Sequence, residues 1–467
     1  MLSLGVAVVW VASLWPFLRA CLSLKLLKWF PQTWLGLLVA LGFLGLSAGW
    51  CVLHSPLGLC LLTLSLVVMR WGFEKRAHPS FGTVNGLPPG SLRPLELRQW
   101  SCPEFFAEQT RHHGPVFKVC SVFAPTVCVS DFVAGWDLLK RECLGSPPLR
   151  YDRLIPGGAM RYMNEESHRR YRGMLTSALS ESTLGQCQPY FESAIERALD
   201  RLHRDPDQNP RQVMEELSTD ALLGSMFGTS PGQSLHSELR ALSAQVDLGA
   251  LERELLPWRP GARRAKAVLK RMAEILQNQH SAPMPAAILK AHPGGLDDPV
   301  LAANLLLFVP TGGRDLVGLF TWVLKMIASH PQALEGALPR SIVEETLRLE
   351  QSEYLFRRAT REFQWNGFRI PKGYLIRVCV HEAQWSCRME EARVFRPTRD
   401  DGHGVKRSFG AYRHTCPGKR LTLNFASLFV KRLMETYRVR EVGDGPREFD
   451  GWHWCPSSQF RVRLDPK

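Results

Sequence analysis

The chain has 467 residues, 45% of them hydrophobic, and a formal charge of +14, so it has ample material for a core and suits an anionic membrane surface or an acidic protein partner. No basic run interleaved with aromatic residues occurs, which speaks against nucleic acid as a ligand. The 12 cysteines are scattered without a Cys-x-x-Cys pair, which excludes a compact disulfide framework and fits a reducing compartment.

Three hydrophobic stretches open the chain: Leu2 to Leu18, Trp34 to Leu53 and Leu57 to Phe73, uncharged apart from Arg70. A helical span needs roughly 20 apolar residues, so residues 1–76 are predicted to be a membrane anchor of one to three transmembrane helices. Arg19, Lys25 and Lys28 lie between the first two stretches, and Arg70, Lys75 and Arg76 close the third. The positive-inside rule then puts the rest of the chain on the cytoplasmic side. No small-residue cleavage pattern follows the first stretch, which argues for a retained anchor over a signal peptide. Asn85-Gly86-Leu87-Pro88-Pro89-Gly90 breaks the periodicity, and residues 77–99 are predicted to be a semi-rigid connector.

From about Trp100 the composition is that of an ordinary globular protein. The surroundings of Phe105 and Phe106 read as a helix, and Val116, Lys118 and Ser121 alternate with Phe117 and Val119 as in strands. Glu165 to about Leu349 is mostly helical in pattern. Within it, His168-Arg169-Arg170-Tyr171-Arg172 places His168 and Arg172 on one helix face. Such a string is commonly a solvated basic face, and otherwise a clamp for an anionic group.

Leu301 to Ile327 is an apolar helical run interrupted by Pro310-Thr311-Gly312-Gly313-Arg314-Asp315. The glycines cost the helix about 2 kcal/mol and the proline about 3 more. Helices carry such residues where something must lie close to their backbone. Asp315 is an acid on an otherwise apolar helix, a candidate proton relay against the commoner role of a salt bridge.

Glu345 and Arg348 fall three apart on one helix face, a spacing that alone indicates a surface pair worth a few tenths of a kcal/mol. Arg357-Arg358 precedes a strand-like stretch, Phe363 to Val380, in which Pro371-Lys372-Gly373 is predicted to be a hairpin turn. Phe395-Arg396-Pro397-Thr398-Arg399 offers a further arginine for the Glu345 pair. The tally is a mainly α domain with a minor β-sheet part.

Phe409-Gly410-Ala411-Tyr412-Arg413-His414-Thr415-Cys416-Pro417-Gly418-Lys419 delivers a cysteine from a glycine-containing turn toward a helix marked by Leu421, Phe425, Leu428, Phe429 and Leu433. A sulfur at a helix N-terminus is expected to favour the thiolate, with Pro417 at the first helical position. Gly418 leaves room for a flat macrocycle, and Phe409 is placed to pack beside the sulfur. A structural cysteine is the alternative, because Cys102-Pro103 and Cys455-Pro456 show that a Cys-Pro pair alone means little.

Cys416 in its setting, the Glu345 to Arg348 spacing, the Phe395 to Arg399 stretch and the glycine-interrupted helix carrying Asp315 occur in the order and at the separations seen in the cytochrome P-450 superfamily. The chain resembles that family from about His113 to Tyr437, nearly all of its soluble part. The resemblance implies the cytochrome P-450 fold for residues 100–467, with haem b (iron protoporphyrin IX) held by an axial thiolate from Cys416. It assigns Glu345, Arg348 and Arg399 to a buried ion-pair network. It assigns His168, Arg172, His414 and Arg357, with Arg358 competing for the last role, to the haem propionates. Asp315 with Gly312 and Gly313 falls in the oxygen-activating stretch, and Phe308, Val309, Gly313, Leu316 and Val317 line the implied distal pocket.

Two positions depart from the family pattern. Tyr412 stands where glycine is usual, so the loop lacks a residue with free choice of positive φ. Leu316 stands where a threonine is usual, so the hydroxyl that steers protons to dioxygen is missing. The resemblance therefore implies a membrane-bound monooxygenase acting on a hydrophobic small molecule, with electrons from an external reductase or a ferredoxin or flavodoxin type donor. Lys419, Arg420, Lys431 and Arg432 are candidates for docking that donor. The alternatives are a haem-thiolate isomerase or dehydratase working without dioxygen, which Leu316 favours, and a noncatalytic haem binder.

Overall fold

The computed structural model describes residues 86–467 except 96–98, 100–101, 122–123, 146–154, 156, 247–259, 352–354, 387–390, 400–407 and 451–452. The predicted membrane spans lie outside these residues. The described chain falls into two compact units, the first drawn from the described residues of 86–149 and 355–382, the second from those of 150–246, 260–351 and 383–467.

The first unit is built on a mixed sheet. Its elements are β1 (Gly90–Pro94), α1 (Pro103–His113), β2 (Val116–Ser121), β3 (Ala124–Val129), α2 (Phe132–Leu138), β4 (Leu144–Gly145), β5 (Leu355–Ala359), β6 (Phe363–Trp365), β7 (Phe368–Ile370) and β8 (Leu375–Val378). The strand order in the main sheet is β1-β2-β3-β8-β5-β4, and β6 and β7 form a separate hairpin. β1 pairs in parallel with β2, so part of the stretch expected to be a connector is a sheet strand. Its pairing partner lies more than twenty residues away, out of reach of local composition.

The alternating pattern of β2 is realised as an antiparallel pairing with β3, Val119 facing Thr126 and Phe117 facing Cys128. Phe106 of α1, Phe117, Val119, Cys128 and Cys379 close into one apolar cluster. Arg377 of β8 is 1% exposed, bonded to Glu382 at 2.6 Å, and its guanidinium lies 3.5 Å from the centre of the Phe106 ring. Buried charge needs such a partner, and the aromatic face adds to it.

The hairpin turn lies elsewhere than predicted. It is Asn366-Gly367, both at positive φ (49° and 77°), the dipeptide that suits a tight two-residue turn between twisted strands. Pro371-Lys372-Gly373 instead leads out of that hairpin into β8, which pairs with β3 and β5.

The second unit is mainly helical. Its helices are α3 (Glu165–Ala178), α4 (Glu181–Arg204), α5 (Pro210–Phe227), α6 (Ser234–Ser243), α7 (Pro260–Gln277), α8 (Pro283–Ala291), α9 (Pro299–Leu306), α10 (Gly313–Ser329), α11 (Pro339–Thr346) and α12 (Lys419–Thr436). Two hairpin sheets complete it: β9 (Tyr437–Gly443) with β12 (Arg461–Pro466), and β10 (Glu448–Phe449) with β11 (Trp454–Cys455). Side-chain oxygens accept from exposed amides at several helix starts, Asn164 for α3, Ser180 for α4 and Asp298 for α9. The core forms where α4, α10 and α12 meet. Phe191 stacks on Phe425 at 4.5 Å, and Phe320 meets Phe425 and Phe429 edge-on at 4.9 and 5.1 Å, the geometries that the aromatic quadrupole favours.

Between α9 and α10 the helix is a π-turn, Phe308–Gly312. Pro310 has no amide hydrogen and its ring collides with the carbonyl four residues back, so the chain takes in an extra residue and continues in α10. The Thr311 hydroxyl donates to the Leu307 carbonyl in the same turn. Among the described residues the run Pro299–Ser329 is the one helix long and apolar enough to cross a membrane, and 61% of its most apolar window is buried within the protein, which makes it a core helix.

Candidate active site

The loop before α12 sets the position of Cys416. Gly410 sits at φ +73°, where a Cβ would lie 2.9 Å from the His414 carbonyl oxygen. Only glycine meets both demands. The Cys416 amide donates to the Phe409 carbonyl at 2.7 Å, closing the loop over its own start. Tyr412 takes φ +52°, so the backbone adopts the left-handed conformation at this position even without glycine, at a cost of roughly 1–2 kcal/mol. Half of the tyrosine side chain's surroundings are solvent, its exposure being 43%, so the ring adds no steric conflict.

α12 begins at Lys419, later than expected, and Pro417 precedes the helix instead of starting it. The Gly418 amide, not the helix dipole at large, supports the sulfur, and a Cβ at Gly418 would lie 3.7 Å from Sγ. Burial and the nearby Asp315 carboxylate outweigh that amide and the positive fields of Arg172 and Arg161. The thiol is pushed up to about 11. Burial thus works against the expected preference for thiolate in the haem-free protein, and a metal binding here would displace the proton.

Arg172 and Arg161 bring positive charge to this sulfur from separate elements, and two histidines stand with them. His168 of α3 is buried, and its ring centre lies 5.3 Å from that of His414. Arg172 stands one turn beyond His168. Burial, Arg172 and Arg413 lower the His168 pKa from its ordinary value, with Glu165 opposing them. Arg161 is on the short turn Met160–Tyr162, anchored by the buried Asn304 side chain, which accepts from the Met160 amide at 2.7 Å. The sequence reading found His168, Arg172 and His414 and missed Arg161 and Arg413; no periodicity marks Arg161, because only the Asn304 anchor brings its turn here. Arg357, in the first unit, is buried on β5 and donates to the Phe356 carbonyl at 2.8 Å.

Glu345 and Arg348 have no exposed side-chain surface. Arg348 donates through Nε to Glu345 Oε2 and through Nη2 to Oε1, both at 2.8 Å, and Arg399 Nε reaches Oε1 at 3.4 Å. The Arg396 amide donates to the same oxygen at 3.2 Å. Arg348 Nη1 also donates to the carbonyl of Ala392 at 2.7 Å. The bidentate fork and the carbonyl partners satisfy charges that water cannot reach.

Asp315 follows the π-turn on the first turn of α10 and is more than half exposed, with Oδ1 2.7 Å from His453 Nε2. Leu316 and Val317, expected in a distal lining, are buried in the protein at 2% and 7% exposure, as is Val309. Gly312 and Gly313 complete the turn, and a Cβ at Gly312 would meet nothing within 4 Å, so its backbone borders open space. His453 was not found from the sequence, since it lies 138 residues from its partner.

Among the described residues no group of three or more His, Cys, Asp or Glu side chains is placed to hold a metal ion. A lone soft sulfur beside a glycine and ringed by cations suits a metal whose other ligands belong to an anionic macrocycle. The residues present fit a haem held through a thiolate.

No family model matches the chain. It is 24% identical over 420 residues to abscisic acid 8'-hydroxylase 2 of Oryza sativa subsp. indica, covering 76% of this chain and 82% of that protein. It is 22% identical over 480 residues to cytochrome P450 85A1 of Arabidopsis thaliana, covering 88% and 98%. The fold matches the retinoic acid-bound cyanobacterial CYP120A1 with a TM-score of 0.69 at 20% identity, over 82% of this chain and all of that one. It also matches P450BioI, in complex with acyl carrier protein ligated to hexadec-9Z-enoic acid, with a TM-score of 0.64 at 18% identity. The chain is thus similar to cytochrome P450 hydroxylases over most of its length, and its fold is that of the matched P450 structures.

Proposed function

We propose that this protein is a membrane-anchored haem-thiolate monooxygenase in which Cys416 is the axial ligand, taking up an apolar substrate on the Asp315 side of the cofactor. The observation that carries the assignment is the Cys416 sulfur itself, held by the Gly418 amide next to a residue without a side chain and faced by Arg161 and Arg172. Haem bound here supplies dioxygen activation, with the thiolate pushing electron density toward the oxygen–oxygen bond.

The chain's own residues do the rest. His168 and His414 offer donors, and Arg172 and Arg161 donors and positive charge, to the propionates of the macrocycle. Glu345, Arg348 and Arg399 fix the chain that leads from α11 toward the cysteine loop. Gly312 leaves the backbone of the π-turn open to a ligand, and Asp315 holds an ionisable group just beyond it.

Hydrophobic stretches before residue 77 supply the anchor, and the positive charge after them favours the cytoplasmic side for the catalytic domain. Electrons come from a separate donor. On α12, Lys419 lies 5.8 Å over the Phe409 ring, and Lys431 and Arg432 pair with Glu435 and Glu192 at 3.9 and 3.4 Å, so the face available to an acidic donor is defined chiefly by Arg420.

The names of three of the matched proteins carry apolar carboxylic acids: abscisic acid, retinoic acid and hexadec-9Z-enoic acid. That pattern supports starting a substrate search with apolar acids, followed by sterols and terpenes. The test is the spin-state change in the haem absorption spectrum on titrating each compound into the full-length protein. A saturable shift with apolar acids supports the reading, and a protein that takes up no haem under ample supply overturns it.

A further inference from the structure

Insertion of one oxygen atom from dioxygen, with the other leaving as water, consumes two electrons and two protons. The electrons come from the external donor and the protons from water, so the protein needs a group that hands protons inward. On the first turn of α10 the side chains after Asp315 are Leu316 and Val317, both buried and apolar. Asp315 has an exposed carboxylate, and its partner is a histidine from a different element.

That histidine is unusually well fixed. His453 is 7% exposed. Its amide donates to Asp450 Oδ1 at 2.7 Å, and its carbonyl accepts from the Asp450 amide at 3.1 Å, a closed turn at the end of the β10–β11 hairpin. Asp450 is in turn bonded by Arg211 of α5 and lies 3.8 Å from Arg314 of α10. One residue on, the Trp454 carbonyl accepts from Trp322 Nε1 of α10 at 2.8 Å. The hairpin is thus tied to α10 two turns beyond Asp315, and to α5 from the other side. A surface ion pair has none of these supports, and a long side chain held so firmly has already lost the entropy that weakens surface pairs.

We propose that His453 is a positioning residue for Asp315: it holds the carboxylate in one orientation beside the π-turn and shares a proton with it across the Nε2–Oδ1 bond, which is the proton path of this enzyme. The inference rests on the proposed function. The proton that leaves Asp315 toward reduced dioxygen is replaced from water through the pair, so no further reactant is needed. Holding a proton donor at hydrogen-bond distance in a fixed orientation is worth on the order of 10² to 10⁴ in rate.

The test has two arms, both on the full chain. In the first, nitrogen-15 spectra of the histidine side chains are recorded for the haem-free and ferric protein. Asp315→Asn, a change at an exposed acid, is expected to shift the Nε2 resonance of His453 in both forms. In the second, reductant consumption under dioxygen is followed with a reconstituted electron donor. His453→Phe is expected to keep full haem content and the thiolate-type carbonyl spectrum, to lower consumption at least about tenfold and to raise the solvent isotope effect. His453→Gln, which keeps a donor at similar reach, is expected to recover most of the loss. A His453 resonance indifferent to Asp315→Asn overturns the proposal, and so does a His453→Phe enzyme with the wild-type rate and isotope effect. Absence of haem from the wild-type protein counts against the proposed function instead, and the nitrogen resonance still decides whether the pair forms.

Discussion

Arg348 grips Glu345 with two parallel 2.8 Å hydrogen bonds, and neither side chain has any exposed surface. A pair three residues apart on a helix is ordinarily worth little, because water competes for both charges. Here the chain turns from α11 into a π-helical stretch, Leu347–Gln351, and the backbone between Ala392 and Arg396 wraps over the pair. Arg348→Ala leaves a carboxylate in a dry place with only Arg399 and one amide beside it. The expected cost is about 3–5 kcal/mol, seen as a large drop in the thermal midpoint and loss of haem from purified protein. A mutant of near wild-type stability and haem content would show the network to be dispensable.

Tyr412 offers the opposite sign. Its φ of +52° costs a non-glycine residue roughly 1–2 kcal/mol, and glycine recovers that strain less the entropy it adds to the unfolded chain, about 0.4–1 kcal/mol. Tyr412→Gly is therefore expected to stabilise the protein by up to about 1 kcal/mol, and Tyr412→Val to destabilise it. Chemical denaturation of the pair of variants checks the order, which must be Gly above Tyr above Val.

His168 gives the protein a pH dependence. Burial, Arg172 and Arg413 lower its pKa in the folded state, so the unfolded chain binds this proton more readily. The histidine's contribution is thus present above the ordinary value of about 6.5 and is lost as pH falls through the lowered folded value. In the haem-free protein, His168→Asn is expected to reduce the fall in the urea midpoint between about pH 7.5 and pH 5.5. An identical fall in both proteins would show that His168 is not held neutral.

The sulfur of Cys416 is expected to be a thiol in the absence of metal. Its pKa of about 11 arises from burial first and from Asp315 second. Site-resolved alkylation of haem-free protein should rise toward half-maximum near that pH, and Asp315→Asn should move the profile to lower pH. A profile centred near neutrality would mean that the amide of Gly418 and the cations dominate after all.

Much of this was legible in the sequence, and the parts that were not share a physical reason. The helix pattern around Cys416, the break at Pro310 and the mainly α class with a minor sheet all depend on local periodicity and on proline chemistry, which the sequence displays directly. The Asn366-Gly367 turn was legible too, since that dipeptide carries its own conformational signal; the proline in Pro371-Lys372-Gly373 drew attention to the wrong turn. β1, Arg161 and His453 were out of reach. Each matters only through a partner supplied by tertiary structure: Lys118 and Cys120 for β1, Asn304 for the turn that bears Arg161, and Asp315 for His453. The burial that raises the Cys416 pKa was out of reach for a related reason, because the sequence shows a following helix but not the sulfur's surroundings.

The central claim is that Cys416 ligates haem iron. The full-length protein and its Cys416→Ser variant, expressed with ample haem precursor, are reduced under carbon monoxide and their absorption spectra compared. The wild-type protein is predicted to show the red-shifted carbonyl band of thiolate-ligated haem, and the variant to lack it while remaining in the membrane fraction. The same band in both proteins would contradict the account, since another group would then hold the iron.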